Sequence, residues 1–223
     1  MNPYHYIIDS GNTRTKIARF NQSKLEDISY KTNSEPLDIP TSAIGLYCSV
    51  NRSCEEFLNL KNINDHLEQI EIKSDYSHTL GIDRRVLIAT TLKEESHDCS
   101  TAIIDAGSFI TVDFIKKERH LGGYIYPGIE NFLYTYAKNG RNLPKVEHRK
   151  VGQEIPQNTE EAISFACSNY LNSIASICKN YQRVIITGGD SGKLAEFFDS
   201  RNIVVDKNLL LTSLNKLYLN LIN

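Results

Sequence analysis

The sequence lacks a charge imbalance, a long apolar run and a recognisable leader segment. Its 223 residues carry 25 Lys and Arg against 27 Asp and Glu, a formal net charge of -2. This balance favours no nucleic-acid partner. No apolar stretch approaches the ~20 residues that cross a bilayer. The start, MNPYHYIIDSGN, has no basic segment followed by an apolar one, so we expect no signal peptide and no membrane contact.

Clustered metal ligands and linkers are also missing. The five cysteines are scattered without a C-x-x-C pair, which is typical of reduced thiols in a cytoplasmic protein. The six histidines show no H-x-x-x-H spacing, so we expect no zinc site. No Gly/Ser-rich or low-complexity segment interrupts the chain. The hydrophobic fraction of 40% suffices for a core, and the length suits one or two domains.

The hydrophobic patterns predict an α/β fold, because strands alternate with helices. Strands are expected over 4–9, 15–20, 43–50, 101–105, 109–115, the start of 183–190, and 203–205. Helices are expected over 81–95, 129–138, 159–180, 192–199 and 212–222, with a further helix start at the capping box Ser53-x-x-Glu56. The remaining segments, 122–128 and 138–150, are interpreted as a turn-rich crossing and a solvated loop.

One pattern occurs twice. IIDSGNTRTKIARF at 7–20 aligns with IIDAGSFITVDFIK at 103–116, so a strand, an Asp-x-Gly turn and a second strand open each half of the chain. Repetition of a supersecondary unit indicates a duplicated domain. We therefore predict two subdomains, 1–100 and 101–223, with a cleft between them.

The repeated turns have the chemistry of a phosphate site. Glycine lets a ligand approach the backbone, and the N–H groups of such a turn bind phosphate oxygens. Asp9 and Asp105 would repel a bare phosphate, but Mg²⁺ bound between carboxylate and phosphate removes the repulsion. Lys16 adds a positive charge. Other phosphate motifs do not match: TGGDSGKL at 187–194 departs from a Walker A loop, and no G-x-G-x-x-G joins a strand to a helix.

Five segments together resemble the ATPase superfamily of actin, sugar kinases and heat-shock chaperones, and more narrowly the type III pantothenate kinases. In chain order they are DSGNTRTK (9–16), GIDR (81–84), DAGSFITVD (105–113), GGYIYPG (122–128) and TGGD (187–190). Each is weak alone, but all five in order are specific.

The resemblance implies a fold of two ribonuclease H-like subdomains with mixed sheets and a nucleotide cleft. It implies ATP-dependent phosphorylation of pantothenate to 4'-phosphopantothenate, with Mg²⁺, a monovalent cation (K⁺ or NH₄⁺) and a homodimer. The implied ATP-binding residues are Asp9, Ser10, Gly11, Asn12, Thr13, Arg14, Thr15, Lys16, Ser108, Gly188 and Gly189. The implied substrate-binding residues are Gly81, Ile82, Asp83, Arg84 and Thr159, with Asp83 also the catalytic base and Asp105 the ligand of the monovalent cation.

The residues themselves are compatible with these roles. A carboxylate within hydrogen-bond reach of a primary alcohol can accept its proton, and an adjacent arginine can hold the substrate carboxylate through two hydrogen bonds. Without the family motif, the residues alone favour interpreting Asp83 as a helix N-terminal acid and Arg84 as a solvated arginine; with the motif, the functional interpretation is preferred.

Two departures from the family pattern leave alternatives open. Ser108-Phe109 replaces a usual Thr-Ala, and Tyr76 is displaced by about two positions from a substrate-contacting tyrosine, without the accompanying proline. One alternative is a kinase for a different small hydroxy acid on the same scaffold. The other is a nucleotide-binding regulatory protein whose catalysis has lapsed.

Overall fold

The computed structural model describes residues 4–50, 59–94, 99–149, 155–199 and 201–222. The chain divides into two compact units. The first comprises residues 1–97, 118–121 and 208–223, and the second comprises residues 98–117 and 122–207. The predicted capping box at Ser53 and Glu56 lies outside the described residues.

The first unit is built on a five-stranded sheet in the spatial order β3-β2-β1-β4-β5. Its strands are β1 (Tyr4–Ser10), β2 (Arg14–Asn21), β3 (Lys24–Thr32), β4 (Gly45–Ser49) and β5 (Lys61–Asn62). The neighbours β1, β2 and β3 run antiparallel, whereas β4 lies parallel to β1. The predicted hairpin over 4–20 is confirmed.

The helices of the first unit cover this sheet. They are a 3-10 helix (Ile63–Ile70), α1 (Ile82–Glu94) and the C-terminal α5 (Leu209–Ile222). Helix α5 packs against β1, β4 and α1, and the Thr90 and Ser213 hydroxyls hydrogen-bond at 3.0 Å between α1 and α5. Consequently the C-terminal helix belongs with the first sheet although it is last in the sequence.

The second unit repeats the topology with the order β10-β9-β6-β7-β8. Its strands are β6 (Thr101–Ala106), β7 (Phe109–Lys116), β8 (Arg119–Pro127), β9 (Arg183–Thr187) and β10 (Ile203–Val205). Its helices are α2 (Ile129–Asn139), α3 (Thr159–Cys178) and α4 (Ser191–Ala195). Strands β6 and β7 are antiparallel, and β9 lies parallel to β6. In both units an antiparallel hairpin is thus followed by a strand parallel to its first strand. The two copies of the sequence repeat form the corresponding hairpins of the two units.

Two predictions of local structure need correction, and three further elements were not predicted. Segment 122–128 is not a turn-rich crossing but most of β8, an edge strand, where Gly and Pro are tolerated because one side needs no ladder hydrogen bonds. Strand β3 was not predicted, because its pattern is largely exposed and charged. The short β5 and the 3-10 helix were also missed. The helix expected over 192–199 ends at Ala195, and Phe197 and Phe198 pack against the core instead.

The hydrophobic core of the second unit shows why its strands and helices form. Apolar residues from β6, β7, β9, α2 and α3 form one buried cluster that includes Ile104, Val112, Leu171 and Ile186, each 0% exposed. Burying such side chains stabilises the fold by about 1.5–3 kcal/mol each. Asn158 caps α3 by accepting a hydrogen bond from the N–H of Glu161 at 2.9 Å, so Thr159 is the first helical residue rather than the cap.

Within the described residues, no helix is both long and apolar enough to cross a membrane.

Candidate active site

The first glycine turn joins β1 to β2 and brings a carboxylate and an ammonium together. Asp9 pairs with Lys16 across the hairpin, and the Lys16 Nζ lies 2.9 Å from Asp9 Oδ2. Both side chains are largely buried, at 11% and 20% exposure for Asp9 and Lys16. The ion pair compensates the desolvation of the carboxylate.

The tip of this turn is open to solvent, but the residues at its base are held by hydrogen bonds. Residues 12–14 are exposed, whereas Ser10 and Thr15 are buried, and their hydroxyls lie 3.1 Å apart. Asn33 Nδ2 donates to the carbonyls of Gly11 and Asn12 at 3.1 and 3.0 Å. Sequence reasoning missed Asn33, because it follows a strand that was itself not predicted.

Asp83 lies in the first turn of α1 and is half-buried. Burial is the main cause that raises the pKa of its carboxyl group, and the negative charge of Asp9 raises it further. Its Oδ1 accepts a hydrogen bond from the N–H of Arg84 at 2.8 Å. A Cβ on Gly81 would come within 2.6 Å of the same oxygen, so glycine at this position leaves room for the carboxylate.

Cys48 is a buried thiol that lies close to both Asp9 and Asp83. It lies beside Asp9 in the parallel register of β1 and β4 and is 1% exposed. Burial raises the pKa of its thiol well above the usual value, and the charges of Asp9 and Asp83 add to the shift. The structure therefore brings the predicted residues Asp9, Lys16 and Asp83 together, with a neutral thiol that sequence reasoning did not select.

Arg84 is 5% exposed, and its guanidinium lies 4.8 Å from the centre of the Tyr76 ring. The alternative interpretation, in which Arg84 is a solvated surface arginine, is therefore wrong. Tyr76, which the sequence left unassigned, contacts the G-x-D-R motif directly. Ile82 begins α1 beside these residues.

The second Asp-x-Gly turn lies in the second unit, where the backbone of the 187–190 turn comes close to Asp105. Asp105 at the end of β6 pairs with Thr111 and Thr187. Gly188 has a φ of +92°, and a Cβ there would meet Asp105 Oδ1 at 2.4 Å and the Ala106 carbonyl at 2.5 Å. Only glycine allows the 187–190 turn to approach Asp105 so closely. Gly189 in the same turn is exposed.

Ser108 follows the second turn and is fixed by the residues after β8. Its carbonyl accepts hydrogen bonds from the Gly128 N–H at 3.0 Å and from Asn131 Nδ2 at 2.5 Å. Phe109 is 46% exposed, so its bulk does not crowd the turn. Thr159 is exposed at the start of α3 in the second unit, whereas residues 81–84 belong to the first unit.

No group of three or more His, Cys, Asp or Glu is arranged to hold a metal ion by itself among the described residues. A divalent metal still fits Asp9, because Mg²⁺ is held in nucleotide sites by one or two carboxylates, with phosphates and water as the other ligands. Asp9 supplies such a carboxylate beside the open tip of the turn.

Two sheets of repeated topology, each with a glycine turn that follows a strand-end aspartate, define the class as the actin-like ATPase fold shared with sugar kinases. A solved structure with this fold is a Sinorhizobium meliloti protein assigned as a 2-dehydro-3-deoxygalactonokinase, with a TM-score of 0.56 at 6% identity over 95% of each chain. A more similar one is a Campylobacter jejuni protein assigned to the Baf family of transcriptional activators. Its TM-score is 0.72 at 26% identity, over 95% of this chain and 96% of that one.

Sequence comparison identifies the family. The model of type III pantothenate kinase matches residues 46–180. The type III pantothenate kinase of Campylobacter hominis is 32% identical over 93% of this chain and 95% of its own length, and that of Helicobacter hepaticus is 34% identical over 76% and 79%. The chain belongs to the type III pantothenate kinase family. It is accordingly a phosphotransferase that uses ATP and a divalent metal.

Proposed function

We propose that the protein transfers the γ-phosphoryl group of ATP to the primary hydroxyl of pantothenate, giving 4'-phosphopantothenate, the first step of coenzyme A biosynthesis. The observation that carries this proposal is Asp83. It is a half-buried carboxylate with a raised pKa, held beside the Asp9–Lys16 pair in the first unit. A nucleotide-binding regulator has no need of such a base.

Asp83 accepts the proton of the attacking hydroxyl. The transition state of phosphoryl transfer is loose, so catalysis depends mainly on positioning and on neutralising charge. A carboxylate oriented by the Arg84 N–H positions the alcohol, and its raised pKa makes it a better proton acceptor than an ordinary aspartate. Lys16 neutralises charge on the transferred phosphoryl group.

Arg84 binds the carboxylate of pantothenate. Its guanidinium is nearly buried, and a charge-assisted pair is stronger where water is excluded. Gly81 and Ile82 complete the acceptor site beside it. Thr159 belongs to the acceptor site only by the family resemblance.

We assign binding of the ATP phosphates to the turn 9–16 of the first unit, and the family resemblance adds Ser108, Gly188 and Gly189 of the second unit as ATP-binding residues. Mg²⁺, which neutralises phosphate charge when bound, would be held by Asp9, and the monovalent cation (K⁺ or NH₄⁺) by Asp105. The nucleoside is assigned to a cavity of about 530 Å³ in the second unit, lined in part by Ile129, His148 and Lys193. The His148 Nε2 is buried and has no hydrogen-bond partner within the described structure, so it is suited to a nucleoside hydroxyl or ring nitrogen.

The functional form is a cytoplasmic homodimer. ATP and the coenzyme A pathway are cytoplasmic, and the described cysteines Cys48, Cys99, Cys167 and Cys178 are free thiols. Exposed apolar residues of the edge strand β8, Tyr124 at 52% and Ile125 at 57%, support an interface with a second copy.

The test is an ATP-dependent assay of pantothenate phosphorylation, with and without K⁺ or NH₄⁺, beside a panel of other small hydroxy acids. We expect turnover with pantothenate and stimulation by the monovalent cation. Turnover of another hydroxy acid without turnover of pantothenate would instead establish the alternative kinase. Binding of ATP without turnover of any alcohol would establish the regulatory protein.

A further inference from the structure

Tyr76 packs its ring against the Arg84 guanidinium. The Arg84 guanidinium carbon lies 4.8 Å from the centre of the Tyr76 ring. An arginine over an aromatic face is attracted by the negative charge of that face, and the attraction grows as the cation loses water. Since Arg84 is nearly buried, the direction of its planar fork depends on the position of the Tyr76 ring.

His120 and Ser74 in turn fix Tyr76. The His120 Nδ1 lies 2.7 Å from Ser74 Oγ, and the same oxygen accepts a hydrogen bond from the Tyr76 N–H at 3.0 Å. The His120 ring stacks on the Tyr76 ring with centres 6.0 Å apart. His120 is 0% exposed, so its ring is held by packing on all sides.

The backbone ties the same two segments together. The His120 N–H donates to the Lys73 carbonyl at 2.9 Å, and the Asp75 N–H donates to the His120 carbonyl at 3.0 Å. The neighbouring ion pair between Arg119 and Asp75 is solvent-exposed and adds little. The buried histidine, rather than this surface pair, therefore sets the position of segment 73–76.

We infer that His120 is a positioning residue for acceptor binding: through Ser74 and Tyr76 it holds the Arg84 guanidinium in the orientation that binds the carboxylate of pantothenate. The inference rests on the proposed function, which assigns that carboxylate to Arg84. Two parallel hydrogen bonds form only when the guanidinium plane is correctly oriented. Loss of the orientation weakens binding of the acceptor and leaves the glycine turns that bind ATP unchanged.

The test compares four variants by steady-state kinetics. His120→Asn keeps a polar group near Ser74 but removes the stacked ring, and Tyr76→Leu removes the ring under Arg84. Both should raise the KM for pantothenate about two- to thirtyfold, the range of a partly desolvated cation–π contact, with the KM for ATP unchanged. Tyr76→Phe, which keeps the ring, should retain the wild-type KM.

His5→Asn is the matched control, because His5 is also buried in the first unit but packs on Phe20 and Tyr218. It should lower the melting temperature and leave both KM values unchanged.

The outcomes separate the two proposals. Absence of pantothenate turnover by the wild-type enzyme overturns the proposed function and this inference together. Wild-type turnover with a His120→Asn enzyme whose KM for pantothenate is unchanged, or whose two KM values rise equally, overturns the positioning role alone. If His120→Asn does not fold, the Tyr76→Leu and Tyr76→Phe pair decides, since equal KM values for the two would contradict the role of the ring.

Discussion

Asp9 and Asp83 are two carboxylates held in different surroundings within one unit. Asp9 has an ammonium partner 2.9 Å away, whereas Asp83 has a backbone N–H and lies within the field of Asp9. Separate surroundings give neighbouring acids separate functions. Asp9 is suited to bind a cation and phosphate, and Asp83 is suited to accept a proton.

Replacing Asp83 with Asn should lower kcat about 10²- to 10⁴-fold, because an amide cannot accept the proton of the hydroxyl. The affinity for ATP should not change, because Asp83 belongs to the acceptor site. The measurements are a coupled kinase assay and calorimetric titration with ATP. Asp27→Asn, at an exposed position of β3, is the control and should have wild-type activity. A wild-type rate for Asp83→Asn would exclude its role as base.

The raised pKa of Asp83 predicts opposite effects of ionisation on activity and on stability. Activity requires the carboxylate, so kcat/KM should fall as the pH drops through the pKa of Asp83, which burial raises above its ordinary value. Because the folded-state pKa is raised, the stability that Asp83 contributes is present below its unfolded pKa and is lost as the pH rises through the folded value. Asp83→Asn should therefore melt no lower than the wild-type enzyme at pH 7. A clearly lower melting temperature in differential scanning calorimetry would contradict this assignment.

The hairpins that carry the site differ in how their turns are built. The β1–β2 and β6–β7 turns contain the glycines that ligand approach requires. The two-residue turn between β7 and β8 instead places Lys117 and Glu118 at φ values of +50° and +57°. L-residues are disfavoured there, and Asn-Gly sequences are typical of such turns.

Lys117→Gly should stabilise the protein by about 0.5–1 kcal/mol, because glycine adopts positive φ without the steric cost. The urea midpoint of unfolding is the measurement. Lys117→Ala is the matched control, since it removes the same side chain but keeps the Cβ, and it should not stabilise. Equal midpoints for the glycine and alanine variants would show that this turn stores no strain.

The two units have the same strand order and the same position for an aspartate and a glycine turn, although few residues are identical between the two repeats. Each unit has its own site residues: the proposed acceptor residues 81–84 lie in the first unit, and the cavity assigned to the nucleoside lies in the second. The second sheet also ends in an edge strand with exposed apolar side chains. Edge strands of this kind are available for pairing with another chain.

Ile125→Lys should shift the protein from dimer towards monomer, because a charge buried in an interface is costly. Sedimentation velocity over a range of concentrations measures the shift. Ile155→Lys is the control: Ile155 is 83% exposed outside any strand or helix, and its replacement should not change the association. A wild-type protein that is monomeric at all concentrations, or an Ile125→Lys protein as dimeric as the wild type, would remove β8 from the interface.

Local pattern and turn chemistry were enough to predict the α/β class, the duplicated Asp-x-Gly hairpins and the G-x-D-R motif at a helix start. It did not reveal β3, whose segment is largely charged and exposed, or β8, whose segment contains two glycines; both are strands because they lie beside β2 and β7. Tertiary structure alone placed α5 on the first sheet and brought the buried Cys48 close to Asp9 and Asp83. It also decided that Arg84 is buried on Tyr76, with His120 behind the ring. These contacts join residues distant in the chain, and burial, which sets their pKa values and orientation, is a property of the packed molecule.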